Sequence, residues 1–475
     1  MKNLGQITNM RLRFLAILIP FLAVSQAAGA QKPPNDDRLG SSGAALYNTH
    51  CAVCHDDNLT GGLGPSLVDE DWVYGRDDAA IRRVIVDGLP DAGMEAYGTV
   101  LTSTEITQLV DYIKKAKDGP KTQPIVDVAS VEDEVQIDTW VTGLREPWAI
   151  QFIGDNEALI TEKTGALRHV KDGKLIAAPI AGTPSVVAKG QGGLLDVAID
   201  PDYADNGWIY LSFSDPGDKG AMTKVVRGRI TDGVWTDEHA VFAANPEDYI
   251  KTGYHFGSRI TFDGAGYLYF SIGDRGKKDM AQDISKPNGK IHRVRHDGSI
   301  PADNPFVDNN AAYGSIYAFG NRNPQGLIIH PDTQVLWETE HGPRGGDELN
   351  AIKAGVNYGW PRISYGINYN GSVLTPYQSL PNMAQPASQW TPSIAVCGLD
   401  VYTGDLFPQW KGRLMAGALK YETVRLIDVS GDTYKSETTL IKDKGRVRDV
   451  TTGPDGAIYV ALPRKIIRLT PKDSK

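Results

Sequence analysis

ITFDGAGYLYFSIGD, residues 260–274, alternates apolar and polar side chains, breaks at Asp263-Gly264-Ala265-Gly266, and resumes as a second apolar run. Period-two alternation on both sides of a glycine-bearing turn is how a β-hairpin reads in sequence. The same design recurs at AIQFIGDNEALITEK (149–163), VAIDPDYADNGWIYLSFS (197–214), LIIHPDTQVLWETEHG (327–342), LDVYTGDLFPQWKGRLMAGAL (399–419) and VTTGPDGAIYVAL (450–462). Six copies with variable spacing predict six four-stranded blades, an all-β six-bladed β-propeller over residues 136–475. A β-sandwich array is the alternative architecture.

The 475 residues are 41% hydrophobic and 23% charged, enough for a large core and more than one domain. The first thirty residues carry basic positions, an apolar run from Phe14 to Val24, and Ala28-Gly29-Ala30 at the end. This is the pattern of a secretory signal cleaved near Ala30, with Met10 as an alternative start and an uncleaved anchor as the alternative fate. The expected location is therefore the periplasm. No later segment looks membrane-spanning, so no stable membrane insertion is expected. A net charge of −9 argues against nucleic acid as a partner, because a phosphate backbone needs a basic surface.

Between the signal and residue 118 lies CAVCHDDNLTGGLGPSL, residues 51–67. Cys51, Cys54 and His55 have the C-x-x-C-H spacing that attaches a c-type haem by two thioethers, with the histidine as an axial iron ligand. Zinc would need further Cys or His, and the segment offers only His50, adjacent to Cys51 and badly placed. Met94, the one methionine of residues 31–118, is the candidate second axial ligand. GAALYNTHCAVCH reads as a helix leading into the attachment site. TSTEITQLVDYIKKAK reads as another, with Ile106, Leu109, Val110 and Ile113 on one face and a Thr102 to Glu105 capping box. Together these features resemble a class I cytochrome c domain, a small all-α domain over residues 31–118. Its acidic composition suits docking of a cationic partner, and equally a solvated surface. Residues 119–135 read as a linker rich in proline and charge. Cys397, the remaining cysteine, sits in an apolar run and reads as a buried small side chain.

Within the propeller, KGQGGLLD (189–196), GYHFGSRI (253–260), FGNRNPQGL (319–327) and ETEHGPRGGDELN (338–350) place polar and basic residues among glycines, unlike blade filler. Lys420, Arg446 and Arg448 add cations near the end. The ordered set HFGSR, IGDRG, HDGSIPADNP, GNRNPQGL, EHGPRGGDE and NYGWP resembles the soluble glucose/sorbosone dehydrogenases that use pyrroloquinoline quinone (PQQ), nearest to the aldose sugar dehydrogenases.

That resemblance implies oxidation of an aldose C1 hydroxyl to a lactone, with His255 as the base that removes the hydroxyl proton and Asp274 orienting its imidazole. It implies that Lys420, Arg446 and Arg448 hold the carboxylates and quinone oxygens of PQQ, that Arg322 and Asn323 contact it, and that Gln191 bonds its edge. Guanidinium groups suit carboxylates because their donors form a matching fork. Arg446 and Arg448, two apart on a strand, should point to the same side. One calcium ion would bridge PQQ and the backbone carbonyls of Gly342 and Pro343. A second would use the Glu348 carboxylate and the Tyr358 carbonyl, with Asp347 nearby. His341, where the glucose dehydrogenase branch carries glutamine, and shorter loops lean toward the aldose sugar branch. The fused haem c would pass the electrons to an external acceptor, a cytochrome or terminal oxidase. A calcium-dependent propeller lactonase or a carbohydrate-binding module without redox chemistry is the alternative, and neither consumes electrons.

Overall fold

The computed structural model describes residues 41–55, 59, 64, 65, 67, 72, 74–89, 94–116, 128–369 and 372–472. The expected signal segment, residues 117–118 of the expected cytochrome c domain and residues 119–127 of the expected linker lie outside them. Among the described residues no helix is long and apolar enough to cross a membrane.

Strand β1 (Val135–Thr142) is followed by β2–β5 (147–175), β6–β9 (194–242), β10–β13 (260–319), β14–β17 (324–390), β18–β21 (396–441) and β22–β24 (449–471). They make six four-stranded antiparallel sheets. Each hairpin quoted above is the first pair of one sheet. The first strands touch in succession, β2 to β6, β6 to β10, β10 to β14, β14 to β18 and β18 to β22, and β22 returns to β2, closing the ring. Strand β1 pairs not with its sequence neighbours but with β24, and completes the last sheet in the order β1-β24-β23-β22. Before β1, Ser130 already bridges Thr439 of β21.

The alternation in the quoted strand has a direct cause. In β11 (Tyr267–Ile272), Leu268, Phe270 and Ile272 pack toward Tyr210, Met222 and Val225 of the preceding sheet. Tyr269 packs the other way, against Leu327 and Leu336 of the next. Successive side chains of a strand face opposite sides, and a blade is covered on both.

The axis of the ring is ionic. Arg259, just ahead of β10 (Ile260–Phe262), reaches the Asp196 carboxylate at 3.0 Å and the Asp449 carboxylate at 3.0 Å. Its Nε donates to the Gln325 carbonyl at 2.8 Å, and Nη2 donates to the Arg448 carbonyl at 3.1 Å. The two carboxylates receive backbone N–H groups as well, Ile260 on Asp196 and Ile150 on Asp449. One guanidinium thus ties the first strands of several blades.

In the front region, α1 (Ser41–His50) leads to α2 (Ala52–His55), with α3 (Asp78–Asp87) and α4 (Ser103–Ala116) around them. Ile106, Leu109, Val110 and Ile113 of α4 are buried against Tyr47, Ile81 and Ile85. The capping box forms: Glu105 N donates to Thr102 Oγ1 at 3.3 Å, and Thr102 N donates to the Glu105 carboxylate at 2.8 Å.

The ionic axis gives a pH-dependent prediction. Burial, only partly countered by Arg259, raises Asp449 to about 7 and lifts Asp196 as well. A carboxyl raised in the folded state loses stability as pH rises through its folded value. Arg259→Met strands both carboxylates, so it should cost about 3–5 kcal/mol near pH 8 and distinctly less near pH 5, read by denaturant unfolding at the two pH values.

Candidate active site

The suspected site residues sit at one end of the sheets: they precede a first strand or follow a second. Gln191 precedes β6 (Leu194–Ile199) and His255 precedes β10. Asp274 follows β11, and Arg322 and Asn323 precede β14 (Pro324–Ile329). His341, Gly342 and Pro343 follow β15 (Leu336–Glu340), and Lys420 follows β19 (Leu414–Ala418). Arg446 and Arg448 precede β22 (Asp449–Thr452). Antiparallel alternation within each blade puts all of these loops on the same face.

At its centre, His255 Nδ1 lies 2.6 Å from Asp274 Oδ1. The carboxylate accepts, so Nδ1 carries the proton and Nε2 keeps its lone pair. Burial lowers the His255 pKa, Arg322 lowers it further, and Asp274 pulls the other way. The ring is therefore neutral and basic at Nε2. Asp274 stays ionised: burial would raise it, but the His255 ring, Arg322 and the Trp360 N–H outweigh that.

His255 adopts φ 53°, a left-handed conformation unusual for a side chain of this size. Its surroundings hold it there. His255 N donates to Gln191 Oε1 at 2.7 Å, and Arg275 N donates to the His255 carbonyl at 3.3 Å. The Arg275 guanidinium, fully buried over the Phe256 ring at 3.3 Å, donates to the carbonyls of Tyr254, Thr252 and Ala221. Gly273 has to be glycine: a Cβ there would stand 2.4 Å from the His255 carbonyl oxygen.

Arg322 donates to the His341 carbonyl at 2.9 Å and to the Tyr369 hydroxyl at 3.3 Å, and lies 5.2 Å over the Trp360 ring. Its carbonyl accepts from Asp274 N at 2.7 Å, so the cation and the dyad share one scaffold. Asn323 Oδ1 accepts from Gly257 N at 3.3 Å. His341 is pushed down to about 3 by burial, with Arg322, Arg448 and His255 adding to the effect. Arg448 stacks 4.0 Å over Trp148, and its Nη1 lies 3.4 Å from Sγ of the buried Cys397. Arg446 and Arg448 lie just before β22 rather than on a strand as expected; Val447 between them is buried, and both arginines act on Lys163. Lys420 lies at the same end of its blade, with its ammonium 5.3 Å from the Tyr421 ring. The fit to a polar, anionic group is visible in two buried atoms without hydrogen-bond partners, Arg322 Nε and His341 Nε2.

Beside the dyad, Gly342, Pro343, Glu340, Glu348 and Tyr358 line a cavity of about 10 Å³, room for one water or one ion. Glu338, Glu340 and Glu348 surround one amide, Asn350 Nδ2, at 3.0, 3.5 and 3.2 Å. Burial raises all three carboxyls, Glu340 to about 7, and Glu338 Oε1 and Asn350 Oδ1 lack hydrogen-bond partners. These oxygens fit a hard cation. Asp347, expected near such an ion, instead accepts from Gly342 N, Val396 N and Ser393 Oγ. Among the described residues no group of three or more His, Cys, Asp or Glu is arranged to hold a metal ion by side chains alone.

In the front region, His55 Nδ1 lies 2.9 Å from the Pro65 carbonyl, which directs Nε2 outward as an axial ligand requires. The ring lies against Gly64, whose hypothetical Cβ would meet it at 2.7 Å. Met94 is half-buried against the same core as Cys51.

A family model for glucose/sorbosone dehydrogenases matches residues 144–468. The chain belongs to the glucose/sorbosone dehydrogenase family. Residues 38–113 match the cytochrome C oxidase, cbb3-type, subunit III model, so a cytochrome c domain is fused ahead of the dehydrogenase propeller. The chain is 42% identical over 349 residues to aldose sugar dehydrogenase YliI of Escherichia coli K12, covering 71% of this chain and 94% of that one. The crystal structure of the soluble aldose sugar dehydrogenase of Escherichia coli in its apo-form superposes with TM-score 0.69 at 41% identity, over 71% of this chain and all of that one. The PQQ-bound aldose sugar dehydrogenase of Streptomyces coelicolor superposes with TM-score 0.59 at 25% identity, over 71% and 98%.

Three features of this dehydrogenase escaped the sequence reading. Arg275 and Trp360 lay inside quoted motifs, IGDRG and NYGWP, without a role. Glu338 and Glu340 were detectable as two acids two residues apart on one face of a short strand. Arg275→Gln should loosen the His255 loop: amide exchange at residues 252–256 should quicken roughly ten- to hundredfold, read by mass spectrometry, with distant strands unchanged.

Proposed function

We propose that this chain is an exported, periplasmic aldose sugar dehydrogenase that uses PQQ and calcium and hands its electrons to its own haem c, and from there to a cytochrome or terminal oxidase. The single observation that carries the reading is the His255–Asp274 pair at 2.6 Å, set beside Arg322 on a face that also gathers Arg446 and Arg448.

Arg322, Lys420, Arg446 and Arg448 would hold the carboxylates and quinone oxygens of PQQ, with Asn323 against it and Gln191 at its edge. Bound there, PQQ supplies a two-electron quinone that accepts the C1 hydride of the sugar. His255 Nε2 takes the C1 hydroxyl proton as that hydride leaves, and Asp274 stabilises the imidazolium so formed. The carbonyls of Gly342 and Pro343 would hold the calcium that polarises the quinone, while Glu348 and the Tyr358 carbonyl would hold a second, structural ion. Cys51 and Cys54 would carry the haem, and His55 and Met94 would bind its iron.

The relatives' names support the substrate class, and the PQQ-bound neighbour supports the cofactor. The match of the front domain to a subunit of a cbb3-type oxidase supports the onward route. Transfer between the two halves is supported by their mutual electrostatics: the Arg446 charge bears on the His55 ring, and Cys54 and Glu95 bear on the half-exposed Tyr254 beside His255. A covalent tether also raises the effective concentration of the acceptor.

The test is anaerobic reconstitution with PQQ and calcium, addition of an aldose, and the haem absorbance. The haem should reduce, and His255→Ala should slow reduction at least about a hundredfold. Sugar consumed with the haem still oxidised would defeat the electron route; sugar left intact would defeat the activity.

A further inference from the structure

We propose that Trp360 is a positioning residue for the His255–Asp274 pair, its indole N–H holding the second oxygen of the carboxylate so that the first stays aimed at the imidazole. The inference rests on the dehydrogenase reading for its kinetic consequence, though not for its geometry.

Asp274 is gripped at both oxygens. Oδ1 accepts from His255 Nδ1 at 2.6 Å and from Gly276 N at 2.7 Å. Oδ2 accepts from Trp360 Nε1 at 2.7 Å. A carboxylate held through one oxygen can turn about its Cβ–Cγ bond; a donor on the other oxygen removes that freedom. Trp360 is itself fixed. It is buried, its N donates to the Gly320 carbonyl at 2.8 Å, and its carbonyl accepts from Gln282 Nε2 at 2.7 Å. Its ring lies under the Arg322 guanidinium at 5.2 Å. The indole therefore links the cation expected to hold the cofactor with the carboxylate that orients the base. No backbone group or other side chain reaches Oδ2 among the described hydrogen bonds, so the anchoring of that oxygen falls to Trp360.

The N–H also withdraws charge from the carboxylate. Among the described residues, the other charged or titratable groups facing the pair are Arg322, Arg275, Tyr254 and His341 around His255, and Arg322, Arg275 and Glu340 around Asp274. All of them remain in a Trp360 variant, and Trp360→Phe keeps an aromatic plane under Arg322. Without the indole donor, the carboxylate becomes more basic and stabilises the imidazolium more, so the His255 pKa rises.

The test is Trp360→Phe, which keeps an aromatic plane and removes the donor. In the reconstituted holoenzyme, kcat should fall roughly ten- to hundredfold while the sugar KM stays within about twofold. The acid limb of the kcat profile should move to higher pH. In the protein without PQQ, the ring-nitrogen NMR titration of His255 should move the same way. Placed in an Asp274→Asn background, Trp360→Phe should add almost nothing, because its effect runs through the lost carboxylate. Should Trp360→Phe fail to fold, Trp360→His, which keeps a ring N–H, should retain more activity than Trp360→Leu. Unchanged kcat, an unmoved His255 titration, fully additive losses, or equal activity of the His and Leu variants would overturn the proposal. A wild-type holoenzyme that oxidises no sugar would instead defeat the dehydrogenase reading, leaving the His255 titration to decide the role of Trp360.

Discussion

Arg259 lies on the axis of the ring with one carboxylate on either side, Asp196 at 3.0 Å and Asp449 at 3.0 Å, and with the carbonyls of Gln325 and Arg448 on its remaining donors. A propeller has little to join opposite blades except the groups that meet where their first strands converge. Here that meeting point is a charged cross-link rather than apolar packing. Its placement matters to the chemistry because the Arg448 carbonyl that it grips belongs to a residue whose own guanidinium stacks on Trp148 at the site. Ring closure and the site's electrostatics are thus built from the same few residues.

Above the axis, each reactive group is held by neighbouring loops, Gln191 and Trp360 from the blades on either side and Asp274 and Arg275 from the blade of His255 itself. His255 donates its N–H to Gln191 and its Nδ1–H to Asp274, Arg275 braces the carbonyls of the His255 loop, and Asp274 is anchored by Trp360 across the next interblade gap. Such preorganisation lets a histidine remain in a left-handed backbone conformation with its Nε2 toward the open side. The buried acids Glu338, Glu340 and Glu348 are the complementary case: burial raises all three, and one oxygen of Glu338 has no hydrogen-bond partner.

What could be read from the sequence divides by range. The hairpins were legible because alternation and turn are local, and all six fall on the first two strands of a blade. The helix of residues 103–116 was legible for the same reason, through Ile106 to Ile113 and the Thr102 box. The closure of the ring by β1 on β24 was not, since no local pattern tells a strand that its partner lies at the far end of the chain. His255 and Asp274 were recognisable through family resemblance, whereas Arg275 and Trp360 acquire meaning only when loops from different blades meet. Asp347, expected near Glu348, does act on that carboxyl, while its own carboxylate accepts from Gly342 N, Val396 N and Ser393.

If the propeller's cations and the His255–Asp274 pair surround one bound quinone, a crystal structure of the PQQ-reconstituted protein should show planar density between Arg322 and Arg448, with its carboxylates on guanidinium groups and its reactive carbonyl facing His255 Nε2. Density at any other place on the molecule, or a face left empty at saturating PQQ, would contradict that arrangement.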